Sequence, residues 1–86
     1  MKTIDVKLIL NRPVRLTYLD YTYWEYTIFE SPFDPGTYSA HLSLGNNIEK
    51  HKERHIEVYF PRHSMVSEEF EINGDKYNLR LINTLT

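Results

Sequence analysis

His51, Glu53 and His55 alternate within residues 50–63, KHKERHIEVYFPRH, and in an extended chain they share one side with Glu57 and Tyr59. Two imidazoles and a carboxylate on one face are the donor set of a facial metal triad. The order is His-Lys-Glu-Arg-His, however, so the glutamate does not directly follow the first histidine as a zinc-binding helix would require. Exposed His and Glu among lysines read more simply as a solvated face. No metal and no other cofactor is expected.

The same stretch holds four Lys or Arg and three His, which makes it the basic pole of a slightly acidic chain. Arg54 and Arg62 can fork onto phosphate oxygens, and His55 and His63 add donors. Arg62, His63 and Ser64 follow Pro61 and bring a guanidinium, an imidazole and a hydroxyl to one loop. These four basic residues are the candidate anion contacts.

Residues 18–29, YLDYTYWEYTIF, supply the other chemistry. Half of the chain's aromatics fall in this stretch: Tyr18, Tyr21, Tyr23, Trp24, Tyr26 and Phe29. As a strand over 22–29 it places Trp24, Tyr26 and Ile28 on one face and Tyr23, Glu25, Thr27 and Phe29 on the other, with Tyr21 continuing the second set. A sheet with one wetted side alternates apolar with polar residues, and this strand is aromatic on both sides. Trp24, Tyr26 and Ile28 are assigned to the core. Tyr21 and Tyr23 become candidate stacking platforms for bases, or anchors for a protein partner.

Catalytic patterns are thin. No Gly-x-Ser-x-Gly elbow occurs, and three glycines cannot build a phosphate-cradling loop. With no cysteine, disulfides, thiolate metal sites and a cysteine nucleophile drop out. The expectation is a protein that is not an enzyme.

The elements that must hold these groups are strands. Residues 3–10, TIDVKLIL, alternate with Ile4, Val6, Leu8 and Leu10 on one face, before Asn11-Arg12-Pro13 breaks the run. Val14–Leu19 resumes, and SPFDPG at 31–36 is a loop signal between Thr22–Phe29 and Thr37–Leu44. Ile56–Phe60 is a short strand closed by Pro61, and the segment 47–55 reads as loop or strand extension rather than helix. Asn73-Gly74 supplies a two-residue turn, so EFEINGDKYNLRL is a hairpin pairing Ile72 with Asp75, Glu71 with Lys76 and Phe70 with Tyr77. Continued outward, that register sets Glu68 against Leu79 and Val66 against Leu81, with Ser67 beside Arg80 on the solvated face. The expected fold is one all-β or β-dominated domain over residues 1–86, a small antiparallel barrel or sandwich of six to seven short strands with at most one or two helical turns.

At 86 residues the chain buries only about 60% or a little more of its unfolded surface, so ordinary packing or an oligomer interface must stabilise it. Ten Lys and Arg against twelve Asp and Glu argue against a long nucleic acid as partner, because such binding rests on many phosphate contacts. No apolar run approaches the roughly 20 residues of a membrane span. A cytoplasmic, membrane-free protein is expected.

Short, cysteine-free, β-rich and aromatic-rich, the chain resembles in size and composition the small accessory and anti-defence proteins encoded by phages. That resemblance implies a role in a host cytoplasm, as an inhibitor of a host protein or as an oligomeric sponge for nucleotide signals. The residues and the resemblance together lead to an oligomeric module sequestering a nucleotide or cyclic oligonucleotide. Stacking would come from Tyr21 and Tyr23, and phosphate contacts from Arg54, His55, Arg62 and His63. An inhibitor or adaptor acting on a host protein is the alternative, and a structural subunit the third.

Overall fold

A computed structural model describes the backbone of residues 1–17, 22–46, 54–72 and 74–83. Among these residues seven strands run β1 Lys2–Lys7, β2 Val14–Thr17, β3 Thr22–Glu30, β4 Tyr38–Asn46, β5 Arg54–Tyr59, β6 Phe70–Ile72 and β7 Asp75–Ile82. No helix occurs among the described residues. The strands form a three-stranded sheet ordered β1-β7-β6 and a four-stranded sheet ordered β2-β3-β4-β5. The sheets stack as a sandwich and do not close into a barrel.

The inner faces are the apolar halves of the alternating runs. Trp24, Tyr26 and Ile28 of β3, Ala40, Leu42 and Leu44 of β4, and Val58 of β5 are buried from one side. Ile4 and Val6 of β1, Ile72 of β6, and Tyr77, Leu79 and Leu81 of β7 meet them from the other. Trp24 ties the layers together: its ring stands edge-on to Tyr77 with centroids 5.2 Å apart, and Phe70 stacks on Tyr77 at 6.0 Å. Such pairs contribute about 0.5–1.5 kcal/mol each beyond the area they bury. The assignment of Trp24, Tyr26 and Ile28 to the core therefore holds.

Two expectations about the ends of the chain are corrected. The antiparallel expectation fails for β1, which lies parallel to β7, with Ile4 opposite Leu79 and Val6 opposite Leu81. First and last strands can pair this way because everything between them, including the second sheet, serves as the long crossover that a parallel pair needs. On the outer face Arg80 clamps Asp5 through Nε to Oδ1 at 2.7 Å and Nη2 to Oδ2 at 3.1 Å, and this hydrogen bond holds the Asp5 carboxyl below its ordinary value.

The first strand also stops at Lys7 rather than running to Leu10. The Ile9 amide donates to the Lys7 carbonyl at 3.0 Å and turns the chain, while the Asn11 amide reaches the Ile28 carbonyl at 2.9 Å. The chain thus leaves one sheet beside Ile82 and joins the other beside Ile28, making a corner of the sandwich. Leu10 ends up partly exposed.

The C-terminal hairpin has the expected register at its tip, with Phe70, Glu71 and Ile72 opposite Tyr77, Lys76 and Asp75. Gly74 has φ +86°, as the turn demands, while Asn73 lies outside the described residues. Further out the register slips by one. Val66, not Ser67, bridges Arg80, so one extra residue is inserted on the first arm as a bulge. The slip exchanges the two faces: Val66 is exposed and Ser67 is buried.

Candidate functional site

The backbone hydrogen bonds of the four-stranded sheet set its outer face. Ser31 N–H donates to Thr37 O at 2.8 Å and Phe60 N–H to Tyr38 O at 3.1 Å, which fixes the phase of both β3–β4 and β4–β5. Three cross-strand rows then look outward: Phe29, Ser39 and Tyr59; Thr27, His41 and Glu57; Glu25, Ser43 and His55. Phe29 with Glu25 and Thr27, and Tyr59 with Glu57 and His55, share faces as the alternation of the sequence implied. Gly45, opposite Tyr23, closes the series on β4, whose outward positions are otherwise serine and histidine.

The first row forms an aromatic cleft on this face. Phe29 and Tyr59 are two strand spacings apart, roughly 9.6 Å at the backbone, and half-buried Ser39 lies between them. With Pro32, Tyr38 and Phe60 they line an open groove of about 310 Å³. Phe29 is 42% exposed and Tyr59 52% exposed, and Phe33, at the tip of the adjoining 31–37 loop, is 95% exposed. The Glu57 carboxylate, two residues along the same face, raises the pKa of the Tyr59 phenol.

Beyond the groove two loops are tied together by Asp34. Its carboxylate receives Arg62 Nε at 2.9 Å, His63 Nε2 at 3.1 Å and the Thr37 hydroxyl at 3.0 Å. The Thr37 hydrogen bond first, then His63 and Arg62, hold the Asp34 carboxyl below its ordinary value. The 31–37 loop is shaped by Gly36, which has φ +89° and donates its amide to Glu30 Oε2 at 3.0 Å. In the facing turn Ser64 N–H donates to Pro61 O at 2.8 Å, and His63 sits at the third position with φ 59°. That left-handed place in such a turn ordinarily belongs to Gly or Asn.

The six ligand contacts expected from sequence are not gathered in one place. Arg62 and His63 stand together, already oriented by Asp34. Arg54 and His55 begin β5, five and four residue steps, or about 17 and about 14 Å, from Tyr59 at its other end. His55 Nδ1 lies 3.1 Å from the Ser43 hydroxyl, and its ring is 5.7 Å from that of His41. Tyr23 is part of β3, paired with Thr17 and Gly45. Tyr21, His51 and Glu53 lie outside the described residues. Among the described residues no group of three His, Asp or Glu is placed to hold a metal ion.

Sequence reasoning missed Ser39, Asp34 and the pairing of Phe29 with Tyr59. The parity of each aromatic was readable within its own strand. Which strands were neighbours, and in what register, was not. Asp34 meets Arg62 and His63 across 28 and 29 positions of chain with no local pattern to announce it.

The sequence matches no known family model, no curated protein and no solved structure. The site must be read from its own chemistry. Among the described residues, no helix is long and apolar enough to cross a membrane.

Proposed function

We propose that the protein acts by binding, without catalysis, and that its ligand docks at the aromatic end of the four-stranded sheet. The observation that carries this reading is the pair of exposed rings, Phe29 and Tyr59, held on either side of a serine floor. Folding alone gives no reason to leave two large rings half in water across a small residue. A flat heterocycle laid over Ser39 would cover both, and stacking of this kind contributes about 1–3 kcal/mol per base.

A nucleotide or cyclic oligonucleotide is the ligand class that suits the surroundings. Arg62 uses Nε on Asp34 and keeps its remaining guanidinium donors for an anion. Asp34 fixes the orientation of the fork in advance, which lowers the entropy lost when a phosphate arrives. The phosphate contacts thus fall to Arg62 and His63, and Arg54 and His55 at the far end of β5 leave the site. Few cations are needed for a small ligand, in keeping with a chain of net charge −2. The likeness in size and composition to phage accessory proteins gives reason to include cyclic oligonucleotides in the test.

Phe33 favours a second reading. A phenylalanine 95% exposed on a loop beside Arg62 has the chemistry of an anchor for a protein partner, since aromatics and arginine dominate interface hot spots.

The two readings separate in one experiment. Mono-, di- and cyclic nucleotides are titrated against the protein while its melting temperature and aromatic fluorescence are followed. Nucleotide binding lost in Phe29→Ala and Arg62→Ala but kept in Phe33→Ala supports the first reading. No response to any nucleotide overturns it, and a stoichiometric protein that copurifies with wild type but not with Phe33→Ala establishes the second.

A further inference from the structure

The four-stranded sheet ends at β5, and β5 has the chemistry to pair with itself. In the β4–β5 ladder, Phe60 and Tyr38 belong to the hydrogen-bonded set, so Val58, Ile56 and Arg54 point their backbone groups at β4. The amides and carbonyls of His55, Glu57 and Tyr59 therefore point away, to the free edge. The Tyr59 carbonyl is taken there by the Glu68 amide at 2.9 Å. His55 and Glu57 have no strand beside them among the described residues.

The other edges are shorter or occupied at one position. On β1 the Tyr26 hydroxyl occupies both the Lys7 amide, at 2.9 Å, and the Lys7 carbonyl, at 3.4 Å. β6 is three residues long, and β2 is four residues long and entered from Pro13, which has no N–H to offer.

We propose that two copies of this chain join edge to edge through β5, antiparallel, with His55 of each copy opposite Glu57 of the other. The dyad then passes between the two Ile56 residues. This register meets three requirements at once. Its hydrogen-bonded pairs are formed by the residues whose backbone groups point outward. Its two outer-face pairs join imidazole to carboxylate. On the inner side it brings together the two Ile56 side chains, each only half-buried against its own core. The neighbouring registers fail. Shifting by two residues one way sets Glu57 against Glu57 and needs the Tyr59 carbonyl that Glu68 already holds. Shifting by two the other way sets the imidazoles of the two His55 residues against each other. Carboxylates directly opposite each other destabilise a strand pair, and the His55 pairing gives up both imidazole–carboxylate contacts. The sheet becomes continuous across both copies, and the outer faces with their aromatic grooves lie on one surface.

The test uses the full chain. Light scattering on wild type gives twice the 10.3 kDa of the chain. His55→Glu alone and Glu57→Lys alone each give the mass of one chain, because the first sets carboxylate against carboxylate twice and the second removes the carboxylate from both outer-face pairs. Mixing the two variants restores the double mass, since Glu at 55 then meets Lys at 57 and Glu57 meets His55. In wild type, amide exchange at His55 and Glu57 slows as protein concentration rises, a readout that needs no variant. A single-chain mass for wild type across the concentration range, a mixture that stays at single-chain mass, or exchange at these two amides that ignores concentration overturns the proposal.

Discussion

The Leu79 amide donates to the hydroxyl of Ser67 at 2.8 Å, across the bulge that separates the C-terminal hairpin tip from its base. At a bulge one backbone group loses its partner, and here a side chain takes that place. Ser67 completes the arrangement by donating its hydroxyl to the Glu68 carbonyl at 2.9 Å and its amide to the Leu79 carbonyl at 2.8 Å. Ser67→Ala leaves the Leu79 amide buried without an acceptor, next to a fully buried side chain. The expected loss is about 1–3 kcal/mol, read as a lower urea midpoint with unchanged slope. Ser67→Ala should cost more than Val66→Ala, which alters an exposed side chain. The reverse order would return Val66 to the core.

The bulge also marks where the sequence stopped being legible. The alternation of β3, the Asn-Gly turn and the apolar face of β7 are local signals, and the fold class and the hairpin tip followed from them. A bulge has no such signal. Serine at 67 and glutamate at 68 and 69 read as a solvated run, and only the tertiary hydrogen bond shows that one of them is inside. For the site, the face that Phe29 shares with Glu25 and the face that Tyr59 shares with His55 were readable within each strand, but a groove needs its walls side by side. That depended on the order β3-β4-β5 and on Asp34 drawing two distant loops together, which no single segment encodes.

Tyr26 belongs to the core by its ring and to the edge of β1 by its hydroxyl. The hydroxyl accepts from the Lys7 amide at 2.9 Å, and burial, opposed by that hydrogen bond, raises the phenol pKa. Tyr26→Phe keeps the ring and removes the bond, so a loss of about 1 kcal/mol is expected. The sign of the pH effect follows from the direction of the shift. The folded state holds the proton more tightly than the unfolded chain, whose tyrosines titrate near about pH 10. The contribution is therefore intact below that value and disappears as pH rises through the folded pKa. Alkaline unfolding followed by circular dichroism should show wild type losing stability over this range more steeply than Tyr26→Phe. Equal slopes would mean that the hydroxyl ionises freely.

The Asp34 tie should respond to acid. Its carboxyl is held below the ordinary value by Thr37, His63 and Arg62, so the folded state binds a proton less readily than the unfolded one. What the tie contributes is present above the unfolded value of about 3.9 and is lost as pH falls through the folded pKa. In wild type the amide shifts of Thr37 and Arg62 should move as pH falls through this range, and in Asp34→Asn they should already be displaced at neutral pH. If they match neutral wild type instead, the carboxylate does not organise these loops.

His63 occupies a left-handed backbone position that costs a side-chain-bearing residue about 1–2 kcal/mol relative to glycine, less the flexibility glycine adds in the unfolded chain. Such a cost is offset either by the contact with Asp34 or by a ligand that the imidazole holds. His63→Gly should leave the melting temperature unchanged or raise it, while weakening the binding of any phosphate-bearing ligand. A marked loss of stability would mean that the ion pair with Asp34, not a ligand, accounts for the residue.

Ser39 offers the complementary substitution in the groove. It is half-buried between Phe29 and Tyr59, and a larger apolar side chain on that floor would touch both rings. Cross-strand contacts of this sort are worth about 0.2–1 kcal/mol per pair. Ser39→Leu should therefore melt at or above the wild-type temperature, because it covers ring surface that water now covers. It should also abolish binding, because the leucine fills the space a flat ligand would enter. Phe29→Ala opens the same groove and should weaken binding by removing one stacking surface, a cost of about 1–3 kcal/mol or roughly 5- to 150-fold in Kd. Filling and emptying the groove thus both reduce affinity, while only filling it holds or raises stability. A ligand that still binds Ser39→Leu with wild-type affinity lies somewhere other than between Phe29 and Tyr59.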